Sequence, residues 1–229
     1  MRIDILTLFP EMCESYLSES IIGRSRNSGA IKITCRNIRD YTIDKHRRVD
    51  DKAYGGGTGM VMQAQPVYDC VRSIPGNDTA RLIYMSPQGR VLNQELVKEL
   101  SAEPHLLLLC GHYEGVDVRV LEELGFEEIS AGDYVVTGGE LPALILTDAV
   151  TRLQPGVLPN EDAYTDESHY DGLLEEPKYT RPEVWHNRQV PDVLISGHHA
   201  NIEKWKQEQR EQVTRTKRPD MLTQNTTED

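Results

Sequence analysis

His105–Leu109 (HLLLL) narrows the fold of this chain more than any other segment. Four successive leucines leave no side for water, so a strand here has to be covered on both faces. The run ends directly in Cys110-Gly111-His112-Tyr113-Glu114-Gly115, a polar loop carrying glycine. Arg81–Met85 reads as a strand ending in Ser86-Pro87-Gln88-Gly89, and Glu127–Ser130 as a short strand before Ala131–Gly139. That last loop feeds a helix-like stretch, Glu140–Leu153, with Leu141, Leu144, Ile145 and Leu153 apolar and Pro142 tolerable in the first turn. Glycines let a backbone approach a bound molecule, and peptide N–H groups at a helix start suit a polar ligand. A tight turn using glycine for geometry alone accounts equally well for any one such loop. Three strand ends carrying them match the place where ligands gather in open α/β sheets.

The rest of the chain keeps this rhythm. Ile3–Phe9 reads as a strand, Glu11–Asn27 as a helix interrupted near Gly23, and Ile31, Ile33 and Cys35 alternate as a second strand. Pro66 opens a helix with Val67, Cys70, Val71 and Ile74 on one stripe, Asn93 can cap Gln94–Leu100, and Val116–Leu124 supplies another helix. Strands alternating with helices predict an α/β fold, a mostly parallel sheet with helices on both faces. Arg36–Gly59 has little periodicity, and so long a connection is unusual without a function. Pro155–Pro182, rich in Pro, Gly and acids, reads as a linker. Beyond it Asn201–Arg215, with Ile202, Trp205 and Val213 as its few anchors, predicts a small helical C-terminal domain.

A net charge of −12 argues against an indiscriminate nucleic-acid binder. The charge is uneven, however. Lys32–Arg48 and Lys204–Arg218 each hold six Lys/Arg against two acids, whereas Glu161–Glu176 holds seven acids and no Lys or Arg. Such runs are ordinarily solvated faces, yet two basic segments leave room for local phosphate contact. The four cysteines stand far apart without a CxxC pair, as expected of reduced thiols in a cytoplasmic protein. No signal peptide is expected, and no segment approaches the ~18 apolar residues of a membrane span. Gly55, Gly57 and Gly59 spell GxGxG, but Val49–Tyr54 before them is no hydrophobic strand. There is no P-loop, no GxSxG elbow, and no metal-ligand spacing in His198-His199.

Taken together the motifs resemble bacterial tRNA (guanine-N1)-methyltransferases, a trefoil-knot (SPOUT-type) family. The likeness runs through Leu8-Phe9-Pro10-Glu11-Met12, Val49-Asp50-Asp51, Tyr54-Gly55-Gly56-Gly57, Ser86–Gly89, Cys110–Gly115, Gly132–Val135 and Gly138–Ala143. It continues through Asp171-Gly172-Leu173-Leu174, Tyr179–Glu183 and Arg218-Pro219, leaving only the last few residues unmatched. The resemblance implies a knotted S-adenosylmethionine-binding domain at 1–158, a linker at 159–178 and a small helical tRNA-binding domain at 179–229. It implies a deep trefoil knot, which patterning alone would never predict. Cofactor-binding positions would be Tyr84, Ser86, Pro87, Gln88, Gly89, Gly111, Ser130, Ala131, Gly132, Asp133, Tyr134, Val135, Val136, Gly138, Gly139 and Pro142. Tyr113 and Glu114 would contact the substrate base. A cytoplasmic homodimer would share its active sites, act on the guanine at tRNA position 37, immediately 3′ to the anticodon, and use Mg²⁺ at a site the sequence does not locate.

The implied chemistry suits these residue types. Guanine N1 carries a proton, so a carboxylate has to act as general base. Charge developing on O6 then calls for a cation. Arg152, in Thr151-Arg152-Leu153-Gln154-Pro155-Gly156, matches the family's catalytic arginine; by itself it reads as a charge facing a helix C-terminus. The family's catalytic aspartate precedes the serine before Gly-Leu-Leu. Here the text is Thr165-Asp166-Glu167-Ser168, so Glu167 stands at that position with Asp166 just before it. Three outcomes follow: Glu167 serves, Asp166 takes over, or turnover is weak and the chain only binds RNA or donor. Action on another RNA position is a further reading. His198 and Pro159 depart from the family's usual Asn and Gly.

Overall fold

The computed structural model describes residues 1–160 and 162–223. Contacts divide the chain into two compact units, Met1–Pro159 and Asn160–Asp229. Residues 224–229, within the predicted C-terminal domain, and Glu161, within the predicted linker, lie outside the described residues.

The first unit contains β1 (Arg2–Thr7), α1 (Pro10–Leu17), α2 (Ser20–Ser28), β2 (Lys32–Asn37), β3 (Asp50–Lys52), β4 (Met60–Met62), α3 (Ala64–Arg72) and β5 (Arg81–Val91). It continues with α4 (Gln94–Ser101), β6 (His105–Cys110), α5 (Val118–Leu124), β7 (Glu127–Ser130) and α6 (Glu140–Thr151). Five strands form one parallel sheet in the order β2-β1-β6-β5-β7. β6 lies at its centre and is buried along its whole length, as its leucine run requires. Period-2 alternation sends Leu106, Leu108 and Cys110 to one layer and Leu107 and Leu109 to the other. The first layer packs under α1, α2, α4 and α6; the second packs under α3 and α5 with Ile38 and Ile74. Each such leucine contributes about 1.5–3 kcal/mol by leaving water. The expected α/β sheet with helices on both faces is the observed fold.

Three local readings change. The predicted Glu11–Asn27 helix is two helices, broken at Ser18-Glu19 rather than near Gly23. Gly23 sits inside α2, where a Cβ would fall 2.2 Å from the Ser18 carbonyl oxygen, so close packing and not a helix break requires it. The strand predicted to end at Met85 runs on to Val91: Met85 and Arg90 both pair with Ile129, so Ser86–Gly89 is extruded between them. The 36–59 connection contains a 3₁₀ turn at Ile38–Tyr41 and β3, which pairs with β4. Asn93 caps α4 as predicted, its Oδ1 accepting from Leu96 N–H at 2.9 Å.

One carboxylate is fully buried in this sheet. Asp4 on β1 accepts from Arg36 Nε at 2.7 Å, is ion-paired with Arg2 Nε at 2.7 Å and lies 2.9 Å from His105 Nε2. Burial pushes its carboxyl up, but the hydrogen bonds from His105, Arg2 and Arg36 outweigh that and hold it below the usual carboxylate range.

The second unit holds α7 (Asp162–Thr165), a β8–β9 hairpin (Val184–Trp185 and Arg188–Gln189), α8 (Asp192–Ile195), α9 (His199–Lys217) and α10 (Asp220–Thr223). From Asn160 on, the stretch read as a linker lies within this unit. Leu174 N–H donates to Thr214 Oγ1 at 2.9 Å, and Arg210 pairs with Asp171 at 2.6 Å. The anchors Ile202, Trp205 and Val213 are only half-buried. No helix among the described residues is long and apolar enough to cross a membrane.

Candidate active site

A cavity of about 480 Å³ opens beside the extruded middle of β5 and the carboxyl ends of β6 and β7. Its walls are the three loops that the sequence singled out: Tyr84–Gln88, Gly111–Val116, and Ser130–Ala131 with Tyr134–Gly139, closed by Pro142 on α6. Tyr113 and Glu114 line it too. Of the predicted cofactor positions, Gly89, Gly132 and Asp133 do not line it. Gly89 serves the crossing of chains behind the wall, where a Cβ would fall 2.2 Å from the Glu128 carbonyl carbon. Gly132 shapes its loop at φ 152°, its N–H donating to Ser130 Oγ at 3.2 Å.

The two facing walls are stitched together. Gly139 N–H donates to Gly111 O at 2.9 Å, an approach that a Cβ on Gly139 would block at 2.6 Å from Cys110 Cα. Tyr84 lies against Gly111, whose Cβ would stand 2.8 Å from its ring. Burial, reinforced by Glu128, raises the Tyr84 hydroxyl above its ordinary value, so it remains a hydrogen-bond donor. Tyr113 takes φ 61°, a left-handed conformation that a bulky residue rarely adopts. Backbone bonds brace it: Glu114 N–H to Met60 O at 2.9 Å and Met62 N–H to Gly115 O at 2.9 Å. The long connection ending at β4 thus holds the Tyr113–Gly115 loop from behind.

Behind that wall lies a buried polar chain that sequence reading missed. Glu140, 2% exposed, accepts from Thr7 Oγ1 at 2.6 Å, and its other oxygen lies 2.6 Å from His112 Nε2. His112 and Glu140 fall inside segments noticed for their glycines, and Thr7 lies inside a predicted strand. The available signal was a charged residue at the first position of an otherwise apolar helix.

The predicted catalytic residues are not gathered at the cavity within the first unit. Arg152 follows the last residue of α6, at the opposite end of that helix from Gly139, about 18 Å away at 1.5 Å per residue. It lines a separate small hollow with Tyr16, Glu19, Ile22 and Asp148. Phe9 before α1, Met12 and Tyr16 on α1, and Leu141 and Ile145 on α6 are outer apolar side chains, 44–52% exposed. Tyr16 Oη donates to Asp148, which with burial pushes the phenol up to about 12. In the second unit Asp166 is exposed and Glu167 half-buried, just after α7. Tyr170 N–H donates to Glu167 O at 3.3 Å, and the Tyr164 and Tyr170 rings stack 5.6 Å apart. No cluster of three or more His, Cys, Asp or Glu side chains suited to a metal occurs among the described residues.

Comparison with known proteins decides the family. A profile described as "tRNA (Guanine-1)-methyltransferase TrmD" matches residues 1–224. The chain belongs to this family. The tRNA (guanine-N(1)-)-methyltransferase of Ruminiclostridium cellulolyticum is 56% identical over 224 residues, 97% of this chain and 96% of that protein. The enzymes of the same name from Staphylococcus epidermidis RP62A and Clostridium botulinum 657 are each 51% identical, covering 98% and 97% of this chain and 91% and 92% of their own. The match spans both units.

Proposed function

We propose that this chain transfers a methyl group from S-adenosylmethionine to N1 of the guanine at tRNA position 37. The observation that carries this reading is the cavity at the strand ends, set in a chain whose relatives across its whole length are tRNA (guanine-N1)-methyltransferases. The cavity's volume of about 480 Å³ falls within the ~300–1,000 Å³ usual for small-molecule sites. Its walls fit a nucleoside: backbone brought close by Gly111 and Gly139, the Tyr84 ring, and exposed Tyr134 and Val135. Bound there, the donor would supply an electrophilic methyl that needs positioning more than activation. Tyr84, Ser86–Gln88, Gly111 and Tyr134–Gly139 would hold it. The extruded Ser86–Gly89 and the Gly89–Glu128 crossing support the knotted reading.

Carboxylate chemistry falls to Glu167 or Asp166. One of them would accept the N1 proton, leaving the ring electron pair free for the methyl carbon, while Arg152 offsets the charge on O6. Glu114, exposed on the cavity rim, would read the flipped base. Arg152 stands a helix length from its own cavity, and α1 and α6 carry outer apolar side chains. That supports a homodimer in which those side chains are covered and each active site draws on both copies. The second unit would bind tRNA, and the compartment is the cytoplasm. No step here is routed through Mg²⁺, whose ligands the described residues do not identify.

Single-turnover methyl transfer to a tRNA transcript tests the assignment. Arg152→Ala is expected to lower the rate about 10²–10³-fold with donor binding intact. Equal loss of both would contradict its role. Glu167→Gln is expected to cost about 10²–10⁴-fold and Asp166→Asn far less. The reverse order would move the base to Asp166, and no loss from either would remove the carboxylate mechanism.

A further inference from the structure

Glu140 has no part in the methyl-transfer chemistry, yet it is buried to 2% exposure at the first position of α6. A carboxyl taken out of water is costly unless every lone pair finds a donor. Here Oε1 accepts from the Thr7 hydroxyl and Oε2 lies 2.6 Å from His112 Nε2, so the imidazole is held as the Nε2–H form. Thr7 Oγ1 in turn accepts from Phe9 N–H at 2.9 Å, and the Phe9 ring meets the imidazole edge-on at 4.9 Å. The imidazole abuts the next loop: a Cβ on Gly138 would fall 2.4 Å from its Cε1.

One carboxyl therefore ties three separate strand-end segments: Thr7 closing β1, His112 following β6, and Gly138-Gly139 entering α6. His112 and the two glycines line the cavity; Thr7 and Glu140 do not. We propose that the Thr7–Glu140–His112 chain is a positioning device that presets the facing walls Gly111–Gly115 and Gly138-Gly139 for the methyl donor. The proposal rests on the methyl-transfer reading above. Loosening the chain lets the walls drift apart, so donor affinity suffers more than the chemical step.

Calorimetric titration with S-adenosylmethionine, donor KM and kcat on a tRNA transcript, and melting temperature test this on full-length protein. Thr7→Val removes one hydroxyl at constant shape; His112→Leu removes the donor to Glu140, with melting temperature reporting how far the fold is weakened; His112→Gln keeps an N–H near Nε2. Thr7→Val and His112→Leu are expected to raise donor Kd and KM about tenfold, with kcat falling less than about threefold. His112→Gln is expected to recover most of that loss. Unchanged donor affinity in folded Thr7→Val and His112→Leu, or no recovery in His112→Gln, overturns the proposal. Wild-type protein that binds no donor would remove the methyl-transfer reading and this proposal with it, an outcome distinct from wild type and variants binding alike.

Discussion

The two units achieve order by different means. Met1–Pro159 builds two apolar layers on a central sheet and carries its cavity on the strand ends that those layers fix. Asn160–Asp229 has one buried side chain among its described residues, Thr214. What ties it together is polar: Thr214 to Leu174 N–H, Arg210 to Asp171, Ser168 Oγ to Glu175 N–H at 3.0 Å. Exposed hydrogen bonds and ion pairs contribute about 1 kcal/mol or less each, against about 1.5–3 kcal/mol for each buried leucine. Under the proposed function, the well-cored unit would keep the donor cavity in shape and the lightly cored one would adjust to tRNA.

Three perturbations break or sharpen that contrast. Asp4→Asn is expected to cost most, about 3–5 kcal/mol at pH 7, because it strips the carboxylate from partly buried Arg2 and Arg36 and from buried His105. Asp4 has a depressed folded-state pKa, so its stabilisation is present above the ordinary value of 3.8 and lost as pH falls through the folded one. Urea unfolding at pH 7 and pH 3 therefore shows the variant's deficit shrinking in acid; an equal deficit at both contradicts the ion-pair account. Next, Leu108→Ala in the first unit is expected to cost about 2–5 kcal/mol, and Ile202→Ala in the second clearly less. Equal losses would erase the distinction. Smallest is Thr214→Val, about 1 kcal/mol. Both tryptophans, Trp185 and Trp205, lie in the second unit, so their fluorescence follows it alone. Thr214→Val is expected to shift the fluorescence transition and leave the circular-dichroism transition of the sheet in place. Coincident shifts would mean that the units unfold as one.

Features with a local signature were legible in the sequence. The leucine run of β6, the Asn93 cap, the helix entry at Gly139-Glu140 and the three glycine loops each depend on neighbours a few residues away. Features set by distant partners were not. Ser86–Gly89 is extruded because Met85 and Arg90 share Ile129. Met60 and Met62 brace Tyr113 across some fifty residues of sequence, and Thr7 meets Glu140 across 133. Asp4 stands inside an apolar strand without a local sign of its role, because two of its partners arrive from β2 and β6. Gly23 had the right residue type for a break but serves a contact instead. Arg152 and the Asp166-Glu167 pair carried no local sign of catalysis at all; only the family resemblance singled them out.

Nucleoside analysis of transcripts after reaction with labelled S-adenosylmethionine tests the central claim most directly. Mass spectrometry of the digest is expected to find 1-methylguanosine at position 37 alone, and none when that guanine is replaced by adenine. Label on another nucleoside, or an unmodified transcript despite bound donor, would contradict the account.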